Sequence, residues 1–96
     1  MKVRLTDEAK TKLQAIFTHI ELDSPVRAEA MVQRILRRAG RIGHVPRAGR
    51  KLPKYQLDTL REVFERPYWI IYRIKPDMIE VVTVMHYRQL LPEDLI

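Results

Sequence analysis

The chain reads as an α+β domain: a helical hairpin packed on one face of a small, mostly antiparallel sheet, in the order β-α-α-β-β-β. Three features predict this. Two segments with helical apolar spacing lie back to back, joined by only two or three residues. Three strand-like segments follow from Leu60 onward, separated by turns at Arg66-Pro67 and Lys75-Pro76-Asp77. A short stretch alternating apolar and charged residues precedes the helices. At 96 residues the chain is expected to be a single domain, residues 1–96, with one core.

Each element has its own warrant. Met1 to Leu5 alternates as a half-buried strand does. Thr6 supplies a helix-capping oxygen, and Asp7 and Glu8 place negative charge where the helix dipole favours it. Ala9, Leu13, Ile16, Phe17 and Ile20 then form one apolar stripe, so the first helix should run to about Glu21. Ser24-Pro25 restarts a helix, with Ser24 as cap and Pro25 at the first helical position. Ala28, Met31, Val32, Ile35, Ala39 and Ile42 continue its buried face, and Gly40 and Gly43 bracket its end. The short link makes the two helices an antiparallel hairpin.

From Gly43 to about Thr59 two glycines and two prolines break the pattern, which predicts a long loop with a turn near Tyr55 and Leu57. Leu60 to Glu65 alternates, putting Leu60, Glu62 and Phe64 on one face and Arg61, Val63 and Glu65 on the other. Tyr68 to Ile74 is rich in aromatic and β-branched residues, and Ile79 to Met85 is apolar on nearly both faces. With both helices on one side, the opposite sheet face is expected to stay open as a concave surface.

Composition excludes several function classes. There is no cysteine, hence no disulfide, thiolate metal site or cysteine nucleophile. His19, His44 and His86 fall on a helix, a loop and a strand end without metal-ligand spacing, and no glycine pattern cradles phosphate. Neither metal nor cofactor is expected. No apolar run reaches the ~18 residues of a membrane span, and the first ten residues lack a signal-peptide core, so a cytoplasmic protein is expected.

Charge carries the functional hint. The net charge is +6, and no acidic residue stands between Ala30 and Leu57, where Arg34, Arg37, Arg38, Arg41, Arg47, Arg50, Lys51 and Lys54 all fall. A single-sign segment of this kind attracts a polyanion or an acidic partner. A second cluster, His86-Tyr87-Arg88, ends the last strand. Arg61, Arg73, His86, Tyr87 and Arg88, with Glu62, hold the residue types that RNA hydrolysis needs: a proton shuttle and cations for the phosphorane. Arg61 and Glu62 point to opposite faces, however, so the pair cannot share one site without a bulge. A docking surface is the plainer reading of the same residues.

The ordered set of motifs V-x-L-T-x-x-A-x-x-x-L-x-x-I-x-x-x-I (Val3 to Ile20), S-P-x-x-A (Ser24 to Ala28), P-x-x-G-R (Pro46 to Arg50), L-R-E-V-F (Leu60 to Phe64), Y-x-I-I-Y-R-I (Tyr68 to Ile74) and I-E-V-V-T-V-x-H-x-R-x-L-L (Ile79 to Leu91) resembles the RelE/ParE superfamily of bacterial toxins, with the ParE branch nearest. The resemblance implies the toxin of a type II toxin–antitoxin system that inhibits DNA gyrase without chemistry of its own. It also implies a cognate antitoxin, of ribbon-helix-helix type with an acidic or amphipathic tail. Target or antitoxin contacts would then fall on Arg34, Arg38, Arg41, Arg47, Arg50, Lys51, Arg61, His86, Tyr87 and Arg88. Tyr87 departs from the small residue common in ParE-like chains. It keeps open a RelE-like alternative, a metal-independent endoribonuclease acting on ribosome and messenger RNA through Arg61, Arg73, His86, Tyr87 and Arg88. A third possibility is an inert remnant that still binds antitoxin.

Overall fold

A computed structural model describes residues 1–91 and Leu95. The elements are β1 (Lys2–Leu5), α1 (Asp7–Glu21), α2 (Pro25–Ile42), β2 (Arg50–Lys51), β3 (Leu60–Glu65), β4 (Tyr68–Ile74) and β5 (Met78–His86). The expected order holds, with one addition: β2 is a two-residue strand inside the segment predicted as loop. Among the described residues the sheet runs β1-β5-β4-β3-β2. Every pairing is antiparallel except β1 with β5. The helical hairpin supplies the crossover that a parallel β1–β5 neighbour requires.

Local chemistry sets the helix starts. Thr6 Oγ1 accepts from the Ala9 amide at 3.1 Å and donates to the Val82 carbonyl at 2.8 Å. One hydroxyl therefore caps α1 and ties it to β5. Ser24 Oγ accepts from the Arg27 amide at 3.2 Å, with Pro25 behind it. Replacing Thr6 with alanine is expected to cost about 1–2 kcal/mol, the usual loss for a cap. Urea unfolding of Thr6→Ala against wild type measures it.

The helix-side core joins Ala9, Leu13, Ile35, Ala39 and Ile42 of the helices to Val63, Tyr68, Ile70, Tyr72, Ile74, Ile79, Val81 and Val84 of the sheet. The expected open concave face is corrected on the other side. Leu60, Ile71 and Met85 are buried there beneath Leu52 and Leu95, with Tyr55, Trp69, Val82 and Leu91 packed around them. Alternation within β3, β4 and β5 leaves apolar residues on both faces, and the chain after β2 and the end of the chain remove them from water. At the Phe64 end of that face the Phe64 ring is exposed and lies 4.7 Å from Trp69.

A bulge decides how β5 presents its last residues. Thr83 pairs with Ile71 and Val81 with Tyr72, so Val82 is an extra residue in the ladder. Ile79 and Val81 face the helices before it, and Val84 faces them again after it. His86 is thereby turned toward α1 rather than toward the opposite face.

Candidate functional site

The cationic residues fall into three surfaces rather than one. On α2, Arg34, Arg37, Arg38 and Arg41 recur at helical steps and, with His44, line a groove closed on one side by Glu65. Arg34 bonds the Glu65 carboxylate at 2.8 Å and the Arg66 carbonyl at 3.2 Å, fixing α2 against the end of β3. Arg37 and Arg41 make no ion pair with the described residues and stand exposed. Four arginines and one glutamate give this groove a net positive lining.

The second surface is the β2 edge. Arg50 bonds Glu62 at 2.5 Å and its guanidinium carbon lies 4.8 Å from the centre of the Trp69 ring, within cation–π reach. Glu62 is buried and Arg50 is not. Lys51 is exposed beside it. Arg47 bonds Asp58 at 3.1 Å across the loop.

Arg61 belongs to no surface. Its side chain is 11% exposed. Its guanidinium donates to the backbone carbonyls of Asp58 at 2.8 Å, Arg47 at 3.0 Å and Gly49 at 2.8 Å, and to the Asp58 carboxylate at 2.6 Å. Beside it, the buried Tyr72 hydroxyl donates to the Pro46 carbonyl at 2.6 Å and accepts from the Gly49 amide at 3.1 Å. Burial pushes the Tyr72 pKa up, which keeps the phenol a donor. Arg61 and Tyr72 are cross-strand partners, and between them they engage the backbone of Pro46, Arg47 and Gly49. They hold the P-x-x-G-R segment in shape, and four hydrogen bonds engage the Arg61 guanidinium there rather than leaving it on the surface where a target contact was expected.

Asp58 completes this arrangement from the outside. Hydrogen bonds from Arg61 and then Arg47 hold its carboxyl below the usual aspartate range. A depressed folded-state pKa contributes stability above the ordinary value of about 4, and that contribution is lost as pH falls through the folded value. The gap in unfolding midpoint between wild type and Asp58→Asn is therefore expected to hold steady from pH 7 to about 5. It should close progressively below about 4, as an acid series of urea melts would record.

The third surface is the end of β5. His86 pairs with Tyr68 in the ladder, and its ring meets the Tyr68 ring edge-on at 5.5 Å. Tyr87 and Arg88 form the turn beyond, with Arg88 Nε donating to the Tyr87 hydroxyl at 2.9 Å and the guanidinium 5.3 Å from the ring centre.

The five residues of the ribonuclease alternative do not converge. Arg61 lies opposite Tyr72 and His86 opposite Tyr68, four residues apart along β4, or about 13 Å at strand rise. Arg61 points into the helix side. Arg73 points to the other face, held by Glu80 at 3.4 Å and the Leu95 carbonyl at 2.7 Å. Only His86, Tyr87 and Arg88 remain together. The sequence places Tyr72 on a strand beside Arg73 within the basic and aromatic cluster, but not its bonds to the Pro46 carbonyl and Gly49 amide, and sequence reasoning passed over Asp58, which joins Arg61 to Arg47. It also passed over Lys12, His19 and Tyr68, which share a cleft with His86. Lys12 and His19 are seven residues apart on α1, a spacing that puts both on one face.

A hairpin of helices on one side of a sheet with a parallel first and last strand is the architecture of the RelE/ParE toxins. Residues 3–91 match the model of the family described as "ParE toxin of type II toxin-antitoxin system, parDE", and the chain belongs to that family. It is 34% identical over 96 residues to the "Putative toxin Y4kP" of Sinorhizobium fredii, an alignment covering 98% of this chain and 96% of the relative. Among solved structures it is similar to a chain of the chromosomal ParDE system from P. aeruginosa, with a TM-score of 0.75, 26% identity, and coverage of 90% of this chain and 95% of that one. The fold is shared with a chain of the RelBE2 toxin–antitoxin complex of Mycobacterium tuberculosis, at a TM-score of 0.58, 21% identity, and coverage of 88% and 95%.

Proposed function

We propose that this ParE-family toxin inhibits DNA gyrase by binding it, and that a cognate antitoxin silences it by covering its charged and apolar surfaces. The observation that carries the first half is the dispersal of the ribonuclease residues: Arg61 is engaged by loop carbonyls, Arg73 is engaged on the opposite face, and of the five only His86, Tyr87 and Arg88 lie together at the rim. General acid–base cleavage of RNA needs its donors and cations around one phosphodiester. Inhibition by docking needs only exposed, shaped surface.

Two surfaces support the second half. The arginine groove on α2 suits an acidic segment, since exposed guanidinium groups pair bidentately with carboxylates. Around the hairpin, Leu5, Leu13, Phe17, Val32 and Leu36 line an apolar groove of the kind that receives a partner's amphipathic helix. Such a partner gains order on binding, which suits an antitoxin tail with little structure of its own.

Induction of the toxin in bacteria without its antitoxin tests the target. Filamentation and a DNA-damage response, with translation continuing, are the expected results. Prompt arrest of translation with cuts in the A-site codon of messages, abolished by His86→Ala or Arg88→Ala, would move the chain to the ribonuclease reading. Vigorous growth despite abundant folded toxin would mark it as an inert remnant.

A further inference from the structure

Beneath the end of β5, a cleft of about 360 Å³ lies between α1 and the sheet, lined by Lys12, Ala15, Ile16, His19, Tyr68, Val84, His86 and Gln89. Several of its polar groups present donors to it. The Arg88 amide donates to His86 Nδ1 at 3.2 Å, so in the neutral ring the proton sits on Nε2. The His86 amide donates to Gln89 Oε1 at 2.8 Å, which spends the amide oxygen and leaves the Gln89 NH₂ as the end still to be satisfied. Lys12 offers only donors. Tyr68 is 7% exposed, yet its hydroxyl makes no hydrogen bond with the described residues. Burial pushes its pKa up, so it remains a protonated donor. No carboxylate lines the cleft among the described residues.

The Tyr68 hydroxyl opens onto the cleft beside an ammonium, two imidazoles and an amide, a set rich in donors with no carboxylate facing it among the described residues. The walls beneath them, Ala15, Ile16 and Val84, are hydrocarbon. We propose that this cleft is a binding site for a carboxylate carried on a short apolar stem, its oxygens received by Tyr68, Lys12 and His86 and its stem resting on Ile16 and Val84. Such a group is either a free small acid or an acidic side chain presented by a partner polypeptide. The site lies on the helix side of the sheet, apart from both the arginine groove and the β2 edge, and does not depend on which target the toxin has.

The bulge at Val82 explains why the site exists at all. Without the extra residue, His86 would face the opposite side of the sheet and the cleft would lose its central donor.

The three histidines make the test internal. Nitrogen-detected imidazole resonances are followed while the folded toxin is titrated with butyrate, with inorganic phosphate, and with an uncharged-ended tripeptide holding one glutamate between two alanines. Saturable movement of His19 and His86 in the butyrate or peptide titration is the expected result, on a binding curve separate from any movement of His44, which lines the arginine groove. Tyr68→Phe and Lys12→Met should each weaken it at least fivefold, while the control Arg27→Gln, exposed and outside both surfaces, leaves it unchanged. Tyr68→Phe conserves ring volume and Lys12 is exposed, so both variants are expected to fold, and a thermal melt verifies this. Peptide binding at least tenfold tighter than butyrate assigns the carboxylate to a partner, whereas near-equal affinity assigns it to a free acid. The proposal is overturned if the three histidines drift together without saturation, if phosphate outcompetes both carboxylates, or if Tyr68→Phe binds like wild type.

Discussion

Arg61→Ala is expected to lower the unfolding free energy by about 3 kcal/mol, most of it from backbone carbonyls left without a donor. Three such carbonyls, of Arg47, Gly49 and Asp58, accept from this one guanidinium. Its ion pair with the exposed Asp58 adds little, because solvent screens that partner. Arg61→Lys should rescue only a fraction, since an ammonium cannot reproduce a planar fork aimed at several oxygens. Urea denaturation distinguishes this role from a surface one. If Arg61 served a target directly, the alanine variant would keep its midpoint and lose only toxicity. The expected result is a lower midpoint, with toxicity falling because the segment that bears Arg47 and Arg50 is no longer held.

Gly49→Ala should cost a comparable amount, about 2–3 kcal/mol, for a steric reason. A methyl group there would collide with the Tyr72 hydroxyl and lie 2.8 Å from the Glu62 carbonyl oxygen. Neither neighbour yields easily, because Glu62 belongs to the β3 ladder and Tyr72 is fully buried. Tyr72→Phe alone is expected to cost about 1–2 kcal/mol by stranding the Gly49 amide and the Pro46 carbonyl. In the double variant the colliding hydroxyl is gone, so the combined loss should fall short of the sum of the two single losses. Strict additivity in a double-mutant cycle would contradict the packing described. The lack of space at Gly49 accounts for the cost by itself.

Local signals were legible in the sequence, and contacts between distant segments were not. Thr6, Ser24 and Pro25 cap their helices as expected because a cap is a matter of three or four neighbouring residues. The alternation in β3 correctly put Arg61 and Val63 on one face and Leu60 and Glu62 on the other. Its consequence was harder to see: a face shared with Val63 is the helix side, and a charged residue there must find partners. Two of the four bonds that Arg61 makes go to loop carbonyls 14 and 12 residues away, which have no side-chain signature. β2 escaped notice because two charged residues carry no period. The covered outer face depends on Leu52, Tyr55, Leu91 and Leu95 returning over β3, β4 and β5, a matter of tertiary contact. The bulge at Val82 was hidden inside Val81-Val82-Thr83-Val84, where every neighbour favours a strand and the phase is unmarked.

The most direct test of the account is a supercoiling assay with purified DNA gyrase, relaxed plasmid and the purified toxin, run beside a translation extract with a defined message. Loss of supercoiling as toxin reaches parity with gyrase, its restoration by an antitoxin purified with the toxin, and an intact message are the predicted results. Full supercoiling at a large toxin excess, with the message cut on the ribosome, would contradict it.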